Sequence, residues 1–274
     1  MLRDALSKTT IYVALGIGAL LMLLPFIWML LTSLKSGNEV MIMPPVWWPD
    51  EFKWGNYKTA WDMAPFGRYL LNSLVVMILS TLGELLTTIL AAYAFSKLHF
   101  WGRDIVFALL LGTMMVPGEV LLIPNFVFLS NLGWIDRYEA LIIPWTASVF
   151  AIFLLRQFFL SVPKDLGYAA KIDGCSDFRF LWTIMVPLAK PALFTIALLK
   201  AIGSWNAFLW PLIVTSSKEM RTLPVGLTSF STEAGTIYEL LMAASTMIIL
   251  PMILLYFILQ KYIIQGISKA GLKG

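Results

Sequence analysis

The sequence predicts an all-α membrane protein: six transmembrane helices with a helix–turn–helix loop on the cytoplasmic side. Three observations carry that prediction. First, 59% of the 274 residues are hydrophobic and only 13% are charged, with a mean hydropathy of +0.81. A soluble domain carries about a quarter charged residues, so this much apolar surface calls for lipid as its solvent. Second, the chain holds six stretches close to the roughly 20 apolar residues that a spanning helix needs. Third, residues 161 to 191 carry charge, glycine and proline where the rest of the chain is apolar.

The spans are expected at 11–34, 69–95, 105–129, 139–159, 191–214 and 239–260. Arg3 and Lys8 precede an uncharged run from Thr9 to Leu34. That run is longer than a signal-peptide core and lacks a small-x-small cleavage site, so it reads as a retained first helix with Pro25 inside it. Between the spans lie a long loop at 35–68, short ones at 96–104 and 130–138, the 160–190 segment, and a loop at 215–238. Glu84, Glu119 and Lys200 are the charges set well inside the spans.

Orientation follows from the basic residues, which favour the cytoplasmic side. With the N-terminus inside, twelve Lys and Arg residues fall on inner segments and seven on outer ones. Both termini and the 160–190 segment are therefore expected in the cytoplasm. The aromatic residues agree. Trp47, Trp48, Trp54, Tyr57, Trp61 and Tyr69 crowd the first outer loop, and Trp134, Tyr138 and Trp145 flank the second. Their amphipathic rings read as interfacial anchors rather than ligand-stacking surfaces.

Several function classes drop out. One cysteine, Cys175, excludes an internal disulfide and a cysteine-cluster metal site. The lone His99 has no histidine partner for a metal. The net charge of +4 sets topology in a membrane protein and does not point to nucleic acid. No catalytic constellation stands out, and the chain lacks the G-x-x-x-x-G-K-[ST] phosphate loop. No internal repeat of the kind found in secondary carriers is visible.

Within the polar segment, Ser161 is expected to cap a helix whose first turn holds Pro163 and Asp165. That helix runs through Leu166, Ala169 and Ala170 to Ile172, and Gly174 supplies the permissive backbone of its C-terminal cap. Ser176 then caps a second helix with Phe178, Leu181, Trp182 and Met185, ending near Pro187. The adjacent alanines permit close approach by a partner. The plainer alternative is a hairpin that folds on its own chain.

The stretch YAAKIDGCSDFRFLWTIMVPLAKP resembles the EAA loop of ATP-binding-cassette importer permeases. Ala169, Ala170, Asp173, Gly174, Ile184 and Pro187 match the pattern, while Tyr168 stands where the family usually has glutamate. NYKTAW, RYLLNS, AAYAFSKLHFWGRD, MMVPGEVLLIPNF, FLLRQFFLSVP, WNAFLWPL, RTLPVGL and the tail QKYIIQGISKAGLKG extend the likeness to carbohydrate-importer permeases of the maltose and glycerol-phosphate type. The resemblance implies one transmembrane domain over 1–274, with a coupling loop at 161–190 and a cytoplasmic tail at 261–274. It also implies a second permease, two ATP-binding subunits that hold ATP and Mg, and an extracytoplasmic solute-binding protein. This chain itself would hold no cofactor and no catalytic residue. Tyr168, Ala169, Ala170, Asp173, Gly174 and Pro187 would meet the ATPase, with Gln265, Gly266, Lys273 and Gly274 of the tail as a second contact.

The translocation path is expected at Lys200, Trp205 and Asn206. Lys200 lies near mid-membrane, where a charge usually faces a cavity or a partner. It either lines the path or forms a structural pair with Glu84, with Glu119 or with the second permease. Asn206 either borders the pore, as the resemblance implies, or makes an interhelical hydrogen bond. Glu119 follows Pro117 and Gly118, a setting for a broken helix at a cavity. Glu84 and Glu119 also keep open a proton-coupled carrier or channel working without ATPases. The solute is left open among sugars, disaccharides, sugar–polyol conjugates and glycerol phosphate.

Overall fold

The computed structural model describes the backbone of residues 2–233 and 235–271 and the side chains of 8–233 and 235–257. The chain divides into two compact units, residues 1–67 with 226–253 and residues 68–225 with 254–274. Among the described residues, four helices are long and apolar enough to cross a membrane: Lys8–Ser33, Phe66–Lys97, Tyr138–Ser161 and Tyr238–Phe257. Two bent helix pairs raise the number to six if each counts as one span.

The first unit begins with α1 (Leu2–Ser33), which contains Pro25. None of its apolar window is buried among the described residues, a surface suited to lipid or another subunit. The following loop is knotted rather than loose. Lys35 is buried, its ammonium donating to the Val46 carbonyl and lying 4.3 Å above the Trp28 ring. Trp28 meets Trp47 edge-on at 5.1 Å. Helix α2 (Gly55–Asp62) supplies Asn56, whose amide donates to the carbonyls of Ser33 at 2.9 Å and Lys35 at 2.8 Å. A buried charge survives here because its ammonium has a carbonyl acceptor and an aromatic face beside it. Farther on, β1 (Ser231–Thr232) and β2 (Gly235–Thr236) pair antiparallel.

The second unit is built around α3 (Phe66–Lys97). Gly83 lets the segment at Thr146 approach closely: a Cβ at Gly83 would stand 2.6 Å from Thr146 Cγ2. Thr87 completes the contact by donating to the Thr146 carbonyl at 2.6 Å. Next come α4 (Arg103–Thr113) and α5 (Leu122–Asn131). The predicted continuous span 105–129 is corrected here, because the helices on either side of Met114–Pro117 bend by 91°. Pro117 lacks the amide needed to continue the ladder and biases Val116 away from helix.

Beyond Tyr138–Ile142, helix α6 (Val149–Ser161) is capped by Ser148, which accepts from the Ala151 amide. The polar segment follows as α7 (Lys164–Ile172) and α8 (Asp177–Phe180), the latter continuing through a π-helical turn to Leu188. After a 78° bend comes α9 (Lys190–Trp205). The predicted span 191–214 is also interrupted: Asn206 caps α9, and a separate α10 (Leu209–Val214) follows. The last helix, α11, runs Tyr238–Gly271.

One core cluster joins three of these helices to the polar segment. Ile89, Ala92 and Tyr93 of α3 pack with Leu155 and Phe159 of α6, Ala170 of α7, Phe180, Leu181 and Met185, and Ile196 of α9. A second cluster sets Val76 against Leu129, Leu141 and Trp210. The loop at 214–223 is tied down by side chains. Asn72 donates to the carbonyls of Glu219 at 2.7 Å and Arg221 at 2.9 Å, and accepts from Tyr138 at 2.6 Å. Asp136 accepts from the amides of Ser216 and Ser217. Burial works against its charge, but the Ser217 hydroxyl together with those amides holds its carboxyl below the usual range.

Candidate functional site

Two places in the second unit carry functional geometry. The first is the polar segment. Ser161 does not cap its helix; it is the last residue of α6, with its hydroxyl turned back to the Phe158 carbonyl at 2.7 Å. Pro163 holds the N-cap position instead, so that expectation is corrected. The physical reason is Pro163 itself, which disfavours helix at Val162 and restarts the chain at Lys164. The turn is as read from the sequence: Gly174 adopts φ +71°, and Ser176 accepts from the Arg179 amide at 3.3 Å.

Helix α7 has two faces. Ala170 is buried in the core cluster, and a Cβ at Gly167 would rest 3.9 Å from Phe180. The opposite face presents Tyr168 at 61% exposure and Ile172 at 86%, beside Phe178 at 68%. Ala169, Asp173 and Gly174 are exposed with them, as is Pro187 at the far end of the segment. Of the six residues expected at a docking surface, Ala170 alone turns inward, and it anchors the helix. Trp182, Leu181 and Met185 pack on the membrane helices, while Phe178 does not.

The second place is a cavity of about 620 Å³ bounded by α3, the break before α5, the Trp145–Ser148 segment, α9 and α10. Lys200 and Glu84 meet in its wall at 2.9 Å, with side chains only 13% and 8% exposed. Lys200 also donates to the Trp145 carbonyl at 2.5 Å. The carboxylate and the carbonyl together hold the ammonium in a largely apolar setting. Glu119 reaches the same cavity from the turn that follows Pro117. Trp145, Phe150, Phe208 and Trp210 supply aromatic surface; Ser148 and Ser204 supply hydroxyls.

Of the residues expected on a path, Lys200 lines this cavity. Trp205 is buried at 2% exposure and does not line it. Asn206 is exposed at the C-cap of α9, also outside the lining. Trp145 was read as an interfacial anchor; the structure gives it a cavity wall, the Lys200 acceptor and an edge contact with Trp210 at 6.0 Å. The Ser148 cap just beyond the Ile143-Pro144-Trp145 turn was the available signal. Gln265 and Gly266 lie in the backbone of α11 with side chains outside the described residues, and Lys273 and Gly274 lie outside them altogether. Among the described residues no cluster of metal-ligating side chains occurs.

A multi-pass helical chain with a charge-paired cavity and a two-helix loop rooted in its core has the form of a transport permease. The chain belongs to the family of binding-protein-dependent transport system inner membrane components, which it matches over residues 84–269. It is 38% identical over 264 residues to the arabinooligosaccharides transport system permease protein AraQ of Bacillus subtilis (strain 168), covering 93% of this chain and 92% of that one. Identity to the sn-glycerol-3-phosphate transport system permease protein UgpE of Yersinia pestis bv. Antiqua (strain Antiqua) is 33%, over 93% of this chain and 94% of that one. A chain in the crystal structure of a bacterial ABC transporter involved in the import of the acidic polysaccharide alginate superposes with a TM-score of 0.83 at 29% identity, covering 94% of this chain and 97% of that one. Family membership decides against the self-sufficient proton-coupled carrier that Glu84 and Glu119 had left open.

Proposed function

We propose that the chain is one permease of an ATP-driven importer for an uncharged carbohydrate or polyol. In this reading six spans form a single transmembrane domain over 1–274, with both termini and the 161–190 loop in the cytoplasm. A second permease supplies the other half of the path, and an extracytoplasmic binding protein delivers the solute. Two ATPase subunits bind ATP and Mg and carry out hydrolysis. Tyr168, Ala169, Asp173, Gly174 and Pro187 meet an ATPase, Ala170 roots the contact, and the tail from Gln265 to Gly274 adds a second one. Lys200 lines the path.

The observation that carries the reading is the core cluster itself. Through Ala170, Phe180 and Met185, the loop packs on Ile89 of α3 and Ile196 of α9. Those two helices carry Glu84 and Lys200. Close-packed interiors transmit displacement rather than absorb it. A push on α7 therefore reaches the pair in the cavity through little more than one helical turn on each side. For the solute, the Lys200 charge is already matched by Glu84, and Glu119 adds a further carboxylate. A phosphorylated solute calls for several free basic groups; aromatic faces with hydroxyls suit an uncharged sugar.

The test is a gentle-detergent pull-down of the intact chain, with mass spectrometry and an ATPase assay, repeated with Gly174→Asp. The expected result is a complex with an ATPase and a second permease, and a loop variant that loses ATPase stimulation or transport. A lone chain that moves solute without ATP overturns the proposal.

A further inference from the structure

A second cavity, of about 370 Å³, lies between the end of α3 and helix α7, apart from the path. Its walls carry Lys97, His99, Arg103, Lys164 and Lys171 against one carboxylate, Asp177. Some of these donors are engaged. Lys97 donates to the Val162 carbonyl at 3.1 Å, and Arg103 pairs with Asp104 at 3.0 Å. Asp177 accepts from the Tyr93 hydroxyl at 3.4 Å. Among the described residues, the ion pairs found leave Lys164 and Lys171 without a carboxylate. Lys97 and Lys164 stand near enough for their charges to repel each other. Like charges held around one cavity favour an anion between them.

We propose that this cavity is a phosphate-group site that takes the headgroup of an anionic phospholipid. Its position argues for a lipid. One wall is the last turn of a membrane-crossing helix, through Tyr93, Ser96 and Lys97. Immediately beyond, Trp101 is 97% exposed, and tryptophan rings settle at headgroup depth. Leu160, 46% exposed, gives the rim an apolar patch suited to an acyl chain. Basic pockets between helices on the cytoplasmic side suit such headgroups. The opposite wall is the docking helix itself, at Gly167, Tyr168 and Lys171. A bound headgroup therefore fixes the angle at which α7 meets an ATPase. That consequence rests on the function proposed above; the binding does not.

The experiment is native mass spectrometry of the purified full-length chain from mild detergent, with phosphatidylglycerol or phosphatidylcholine added. The wild type is expected to retain phosphatidylglycerol in preference. At about 1 kcal/mol per basic residue near the surface, Lys164→Gln with Lys171→Gln weakens retention about thirtyfold. The double arginine variant keeps it, and Lys58→Gln with Lys218→Gln leaves it unchanged. Equal retention of both lipids, or an equal loss in the control pair, overturns the site. Displacement of the lipid by millimolar inorganic phosphate assigns the cavity to the free ion, and displacement on adding the ATPase assigns it to a protein carboxylate; either removes the lipid. A chain that holds the lipid but captures no ATPase keeps the site and removes the coupling.

Discussion

At the scale of single residues, the pair in the cavity is the feature with the largest energetic stake. Lys200 and Glu84 stand 2.9 Å apart with little exposure, so removing one leaves the other charged and unmatched. Lys200→Met is expected to cost about 3 kcal/mol, and the double variant with Glu84→Gln to recover most of it, because a matched apolar replacement is near neutral. Thermal unfolding in micelles reads the difference; two single losses that simply add would show that water shields the pair. Glycines contrast with one another for physical reasons. Gly174 has φ +71° and open space around it, so Gly174→Ala costs about 1 kcal/mol through backbone strain alone. Gly83 has no such strain, but its new Cβ would run into Thr146. Gly83→Leu is expected to cost roughly 1–3 kcal/mol by overpacking, and the same unfolding measurement checks both.

Individual elements are held by bonds that sequence periodicity does not report. In the loop after α1, the Ser36 hydroxyl, the Asp50 amide and the Ser36 amide all donate to Glu39. In that order they lower its carboxyl from an ordinary value of 4.5 to about 2. A carboxylate whose folded pKa is depressed contributes stability fully above its ordinary value and loses it as pH falls through the folded one. The loop is therefore expected to loosen between about pH 4.5 and pH 2. Fluorescence of Trp47 and Trp48 should follow that transition, and Glu39→Gln should flatten it. An unchanged titration in the variant would place the transition on another group. Cap chemistry was legible beforehand at Gly174 and Ser176, because it depends only on adjacent residues. The cap at Ser161 was misread because Pro163, two positions on, also acts on its neighbour's backbone.

For the whole molecule, the expectation with most reach concerns charge. A cavity whose cation is matched and whose remaining ionisable group is Glu119 should pass uncharged sugars and resist anionic ones. In a reconstituted importer, neutral oligosaccharides are expected to stimulate ATPase activity, and glycerol phosphate is not; Glu119→Lys should narrow the gap. Strong stimulation by the phosphate ester in the unaltered protein would remove the uncharged-solute reading. By itself, the sequence determined the solvent, the approximate spans, the turn at Gly174 and the likeness to importer permeases, since hydropathy and capping act over one helix or one turn. Only the tertiary structure decided that Glu84 is the partner of Lys200, that Trp145 accepts from it, that Ala170 faces inward and that Trp205 is core. These helices are apolar around much of their circumference. Their rotation and depth are set by what packs against them, and no local pattern encodes that.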